Sequence, residues 1–475
     1  MIHEKTAKKM SLHVGDRVSI KDHKGKIISV VDTVSGIIQP SEIAVSGDIL
    51  EKLSLKDKAS VEVELAGHPR SISLIKKKLK GERLSESEIR EIIFDIAENA
   101  LTEVEVAFFI SAVYANDMTL EETKHLISAM VDSGNKMKLA GMVVDKHCIG
   151  GIAGNRTTPI LVSICAAAGL IMPKTSSRAI TSAAGTADVI ETVAKVEFSI
   201  SEIKNIVKKT NACLVWGGAL GLAPVDDKII KIERLVNIDS TPQLLASILS
   251  KKISVGSHYV LIDIPCGRSA KVSKNQAEKL KQKFLKLGNL FGLKIRVVLT
   301  DGTEPIGNGI GPILEIKDVI KILQRNNGPM DLEKKSVMLA GELLELTGKS
   351  KKGKGIEDAQ KILDSGKAFE KFVQIIKAQE GHLDGFEKPM FSYEVKSKKN
   401  ARIKHIDNKI INKIARFAGC PEDAAAGIYL YKKKGEIIEK NQVLFTIFAV
   451  SEEKLKQAKG LYNKLGKKAV EFSRV

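Results

Sequence analysis

The sequence predicts a multidomain protein of mixed α/β and α+β class. It divides into a small β-rich N-terminal domain, a helical lobe, a large α/β lobe with a mixed sheet, and an α+β C-terminal subdomain. Three observations carry this reading. Residues 1–80 contain short stretches of period-two alternation separated by turn residues. Three helix-start signatures follow between residues 85 and 134. From residue 142 onward, short apolar strands alternate with helical stretches.

Within residues 1–83, the stretch 61–65 (VEVEL) alternates as a half-buried strand does, and 71–75 (SISLI) repeats the pattern, so both are expected as strands. Gly15, Asp16, Gly25, Ser35, Gly36, Ser46 and Gly47 supply the turns. The polar, basic stretch 76–83 (KKKLKGER) reads as a linker.

The helical lobe, residues 84–145, opens on a capping box, Ser85 with Glu88, in which each side chain reaches the other's backbone N–H. Ile89, Ile92, Ile93, Ile96, Ala97 and Ala100 then fall on one helical stripe. Thr102 with Glu105 and Thr119 with Glu122 repeat the signal, and Ser133-Gly134 marks a stop. A segment at about 225–255 is expected to join this lobe. The α/β lobe, 146–224 and 256–385, contains a small-residue helix at 158–169, strands at 260–264 and 295–299, and a helix at 276–287 between them. The subdomain 386–475 shows strands at 395–399 and 442–449.

Composition narrows the function classes. A length of 475 residues allows two to four domains at about 100–200 residues each, and 43% hydrophobic with 28% charged residues excludes a disordered chain. The net charge of +18 raises the question of a nucleic-acid partner, but the lysines are spread along the chain and aromatics are only 4%, too few for a series of base-stacking platforms. A solvated Lys-rich surface is the better reading. The longest apolar run, 160–172, is too short for a bilayer, and no leader is read at Met1. Five scattered cysteines without a C-x-x-C pair fit reduced thiols in a cytoplasmic protein. The nine histidines never pair at metal-ligand spacing, so no metal or cofactor is expected.

Two segments carry chemistry. The first, 146–158 (KHCIGGIAGNRTT), lies between a strand and a helix. Its glycines allow backbone N–H groups to approach an anion, Thr157 and Thr158 stand at a helix start, and Lys146 adds a full charge. It has neither the GxxxxGK[ST] nor the GxGxxG spacing. The second, 173–191, sets six hydroxyls (Thr175, Ser176, Ser177, Thr181, Ser182, Thr186) around Arg178, a set suited to phosphate and sugar oxygens. A ligand-free loop would explain either segment singly. The glycine-rich stretch 301–311 reads as closing a cleft or shaping a lobe interface.

Together these segments resemble the nucleoside phosphorylase family that includes the thymidine and pyrimidine-nucleoside enzymes. The likeness lies in Lys146-His147-Cys148 with Gly150 and Gly151, and in Ser176-Ser177-Arg178 through Gly185-Thr186-Ala187-Asp188 to Glu191. A third match, 239–252 (DSTPQLLASILSKK), is similar to a substrate-facing helix of that family. Four departures resemble its archaeal, AMP-cleaving branch. Ile232 stands where pyrimidine members carry an arginine, the glycine turn is one residue longer, Arg268-Ser269-Ala270-Lys271 replaces an apolar stretch, and a β-rich segment precedes the helices.

The resemblance implies a pentosyltransferase that converts AMP and inorganic phosphate to adenine and ribose 1,5-bisphosphate in nucleotide salvage or degradation. CMP and UMP are further candidate substrates. It also implies a homo-oligomer, dimer or larger, with neither membrane nor nucleic-acid partners. Carried over by position, Asp239 is the proton donor to the leaving base. Gly151, Ser177, Arg178, Ala179, Ile180, Thr181, Ser182, Thr186, Ser247 and Lys271 contact AMP. Lys146, Ser176, Arg178 and Thr186 hold phosphate. Cys148 stands where pyrimidine members have serine, a better hydrogen-bond partner. Position alone leaves Asp239 equally suited to capping the helix that contains Pro242.

The alternatives are a pyrimidine-nucleoside phosphorylase, a phosphoribosyltransferase of the anthranilate type, and a nonenzymatic RNA- or nucleotide-binding protein. The second would need magnesium on a paired-acid motif that the expected region lacks.

Overall fold

The structure, a computed structural model, describes residues 1–23, 25–179 and 182–473, apart from the side chains of Asp48 and Lys467. It divides into two compact units, residues 1–134 with 223–250, and 135–222 with the chain from 251 onward.

The first unit opens with a three-stranded antiparallel sheet ordered Gly25–Val30, Arg17–Asp22, Glu62–Ala66, so the alternation at 61–65 does form a strand. The alternation at 71–75 does not. Ser71–Leu79 is a helix, and the supposed basic linker begins as its last turn. Five residues are too few to separate a period of 2 from one of 3.6. The buried positions Ser71, Leu74, Ile75 and Lys78 have the i, i+3, i+4, i+7 spacing of a helix face. Lys78 tolerates burial because its ammonium meets the Glu122 carboxylate at 3.0 Å.

The three capping boxes form as expected and start helices Glu86–Ala97, Glu103–Asn116 and Leu120–Asp132. Ile89, Ile92, Ile93 and Ile96 are fully buried on the first of these. Helix Pro224–Val236 returns to this bundle. Its Lys228 ammonium donates to the carbonyls of Ile96 (3.0 Å) and Ala97 (2.7 Å), which satisfies the end of helix Glu86–Ala97.

The second unit is built on parallel strands. Lys294–Asp301, Tyr259–Cys266 and Val144–Cys148 pair in that order, and Met172–Ser176 pairs with Ala212–Trp216. A parallel bridge between Val143 and Ile171 joins the two sets. The mixed sheet expected from sequence is therefore corrected to a parallel one. The reason lies in the connections: helices Thr157–Ala167, Ile200–Thr210 and Lys274–Leu290 each carry the chain back before the next strand begins. Helix Thr157–Ala167 is buried from Thr157 to Ala166, which its small residues permit.

The remainder of the unit is α+β. One antiparallel sheet is ordered Gly309–Ile310, Gly427–Leu430, Val443–Ala449, Phe391–Lys396. A second is ordered Ile437–Ile438, Ala401–Ile406, Val470–Ser473. Helices Asn408–Phe417 and Glu452–Ala469 accompany them. Among the described residues no helix is long and apolar enough to cross a membrane.

Candidate active site

Ligands of open α/β sheets bind in the crevice at the carboxyl ends of the strands. Val144–Cys148 and Met172–Ser176 are neighbours and parallel, so the glycine-rich and the hydroxyl-rich segments leave the sheet side by side. The loop carrying Lys271 leaves the same edge, after Tyr259–Cys266.

In the first turn, Gly151 (φ +91°) and Gly154 (φ +69°) adopt the left-handed backbone region that favours glycine. A Cβ on Gly151 would stand 2.8 Å from the Lys271 amide nitrogen, and one on Gly154 would stand 2.3 Å from the Ile306 carbonyl. Gly151 and Lys271 are thus brought together, and Ile306 and Gly309 pack against the turn at Gly154.

Beneath it lies a buried ionic floor. The Lys146 ammonium donates to Thr157 Oγ1 (2.9 Å) and Thr158 Oγ1 (3.3 Å), and burial pushes its pKa down. Asp145 lies 2.7 Å from the Lys252 ammonium and 3.6 Å from that of Lys174. Asp263 faces Lys335 at 3.1 Å and accepts from Thr300 at 2.6 Å. Burial holds Lys174 at about 7, with Lys252 and Lys146 acting in the same sense and Asp145 against it. Four buried lysines against two carboxylates leave this floor attractive to an anion. His147 is held well below its ordinary value, first by burial and then by four surrounding lysines, so the ring is neutral near pH 7. Burial also raises the Cys148 thiol, which accepts from Asn155 Nδ2 at 3.3 Å and stays protonated.

Asp188 shapes the second turn. Its Oδ2 accepts from the amides of Ala179 and Gly185, both at 2.7 Å. Gly185 fits because a Cβ there would meet the Ser177 carbonyl at 2.5 Å. Ser176 Oγ is buried without a hydrogen-bond partner among the described residues, as suits a group that binds a ligand. The Arg178 guanidinium pairs with Glu191, Glu197 and Asp188 and lies over the Trp216 ring at 4.8 Å.

Three family models match the chain: a glycosyl transferase family helical bundle domain at 72–134, the α/β domain of that family at 140–369, and a pyrimidine nucleoside phosphorylase C-terminal domain at 402–467. Curated relatives include AMP phosphorylase of Thermococcus kodakarensis, 44% identical over 96% of this chain and 92% of that protein. Those of Pyrococcus furiosus and Archaeoglobus fulgidus are 42% and 40% identical over the same shares. The chain belongs to the AMP phosphorylase family. Among solved structures, anthranilate phosphoribosyltransferase from Thermus thermophilus shares the fold, with TM-score 0.55 at 16% identity over 65% of this chain and 99% of that one.

For a member of the AMP phosphorylase family, the second unit carries Lys146 and Ser176 on strands, Thr186 at a helix start, and Gly151, Ser177, Arg178, Ala179, Ser182 and Lys271 on the loops that follow neighbouring strands. Ile180 and Thr181 lie outside the described residues. Asp239 and Ser247 belong to the first unit. Asp239 is exposed and precedes helix Thr241–Ser254. The capping position belongs to Ser240, whose carbonyl accepts from Leu244 N at 3.0 Å and whose hydroxyl receives Gln243 N at 3.4 Å. Ser247 Oγ donates to the buried Asp226 at 2.8 Å. Ile232, at the arginine position of the pyrimidine enzymes, is buried, and Arg268 is drawn to Glu471 at 2.5 Å.

Sequence reasoning missed the groups that fasten the turns. Asn408, fully buried, accepts from Ala153 N (3.0 Å) and donates to Ser269 Oγ (3.0 Å) and the Gly302 carbonyl (3.1 Å). One helical turn on, Asn412 accepts from Ala183 N at 3.0 Å, and Arg416 donates to the Ser182 carbonyl at 3.3 Å. The signal was the i, i+4, i+8 row Asn408, Asn412, Arg416, whose two asparagines are buried with Ile411, Ile414 and Ala415. Arg156 was passed over inside the first motif, although it is buried against the second turn.

Proposed function

We propose that this chain catalyses the phosphorolysis of AMP. Inorganic phosphate held by the two turns attacks C1′ of the ribose from one face while adenine departs from the other, giving adenine and ribose 1,5-bisphosphate. The observation that carries the reading is the likeness to AMP phosphorylases over 96% of the chain. The buried lysine floor, the orphaned Ser176 hydroxyl and the glycine-lined first turn support an oxyanion at that edge.

In this reading Asp239 protonates the leaving base, because adenine is a poor anion. Asp239 is exposed just before helix Thr241–Ser254. Lys146, Ser176 and Thr186 serve phosphate. Gly151, Ser177, Ala179, Ser182, Ser247 and Lys271, with Ile180 and Thr181, serve AMP. Arg178 serves both AMP and phosphate.

The enzyme works as a homo-oligomer in the cytoplasm. Exposed Phe94, Val104 and Phe108 on two consecutive bundle helices support the assembly, and five free thiols support the reducing compartment.

The test is to incubate the protein with AMP, CMP, UMP, adenosine or thymidine, with and without phosphate, and to measure free base. Adenine released from AMP only when phosphate is present is the expected result. Base from thymidine alone would overturn the proposal in favour of a pyrimidine-nucleoside phosphorylase. Light scattering on the same sample reads the subunit number, and a monomer would remove the assembly.

A further inference from the structure

The Arg156 guanidinium is buried at the end of the first turn, with each of its three nitrogens committed. Nε donates to Glu315 Oε2 at 2.6 Å, Nη2 to the Ala184 carbonyl at 2.9 Å, and Nη1 to Thr186 Oγ1 at 2.7 Å. Glu315 is buried too, and its other oxygen accepts from Gly311 N at 3.1 Å. The carboxylate therefore fixes the plane of the guanidinium, and the guanidinium spans from the first turn to the second.

The consequence for Thr186 follows from donor and acceptor capacity. A guanidinium carries five N–H donors and no acceptor, so Thr186 Oγ1 must accept from it. A hydroxyl that accepts on one side keeps its single proton for another partner, and among the described residues no hydrogen bond uses that proton. A cation feeding into the oxygen also polarises the O–H bond and makes it a stronger donor. Because the Glu315 pairing offsets the charge of Arg156, the second turn gains a directed donor without a bare cation.

We propose that Arg156 is a positioning residue that holds Thr186 Oγ1 as an obligate outward donor to an oxygen of inorganic phosphate. This deepens the reading of the site as a phosphorolytic one and rests on it. The specificity it confers is for a ligand that presents lone pairs. A neutral donor group at the same point would meet a proton rather than an acceptor.

The test compares the wild type with Arg156→Lys, Thr186→Val and the double variant, varying phosphate at saturating AMP and AMP at saturating phosphate. Arg156→Lys keeps the charge for Glu315 but cannot reach three acceptors in one plane. Thr186→Val keeps the β-branched shape at a half-buried helix start. One lost hydrogen bond to a charged ligand corresponds to roughly 10- to 100-fold. KM for phosphate should rise by that factor in each single variant, with KM for AMP held within about threefold of wild type. The double variant should match Thr186→Val alone, because Arg156 acts through the hydroxyl.

Unchanged phosphate KM in Thr186→Val overturns the inference even if Arg156→Lys does not fold. Multiplying effects in the double variant, or a rise confined to KM for AMP, also overturn it. A wild-type protein that releases no adenine from AMP and phosphate fails the underlying reading instead.

Discussion

Replacement of Asp188 by alanine probes the second turn most directly. One carboxylate oxygen there receives two backbone amides at 2.7 Å, and Asp188 and Ala179 are both buried. Leaving a buried donor unpaired costs about 1–3 kcal/mol. Water can reach the half-buried Gly185 amide more easily than that of Ala179. The sum is therefore about 2–4 kcal/mol of unfolding free energy for Asp188→Ala. Asp188→Asn retains one oxygen that can accept both amides but loses the charge, at about 1–2 kcal/mol. Urea unfolding followed by circular dichroism reads the global loss. The only tryptophan, Trp216, lies under Arg178 beside this turn, so its fluorescence reads the local one. Phosphate KM should rise at least tenfold in the alanine variant, since Ser177 and Thr186 flank the loosened segment. An alanine variant within about 0.5 kcal/mol of wild type, the spread of an ordinary surface change, and with unaltered phosphate KM, would refute the idea that Asp188 shapes the site.

Three other outcomes are expected. Asp239→Asn should lower kcat by ~10²–10⁴-fold with AMP affinity largely retained; near-normal turnover would remove Asp239 from the chemistry. Gly154→Ala should cost about 2–4 kcal/mol in urea midpoints, because it combines a positive φ with a contact against the Ile306 carbonyl that neither backbone can yield; a midpoint equal to wild type would mean the turn relaxes freely. Lys174 gives a pH signature. Its folded value of about 7 lies below the ordinary 10.5, so the unfolded chain binds more protons across that window and stability rises with pH through it. Lys174→Met should flatten the difference between urea midpoints at pH 7 and pH 9.5; equal slopes in both proteins would contradict the burial of this ammonium.

The sequence exposed those features whose physics is local. Each capping box needs only four consecutive residues, and all three sit where the spacing put them. The two turns were visible because glycines and hydroxyls cluster within each. The helix at Ser71–Leu79 was misread because its first five residues satisfy two periods at once. The carboxylate partners of Arg178 were hidden because they lie 10 to 19 residues further along and meet it only after folding. The Asn408 helix was out of reach for the same reason: its contact with Ala153 joins residues 255 positions apart.

That helix has a bearing on modularity. A chain cut before residue 386 would retain every group assigned to the substrates, yet two of its loops would lose the pegs on which they hang. Recombination that exchanges the terminal module must therefore carry the asparagine, asparagine, arginine spacing with it, while the outward faces of the accompanying sheets stay free to diverge. Anything that rotates the helix by a fraction of a turn would retune both loops together, so neither can drift on its own.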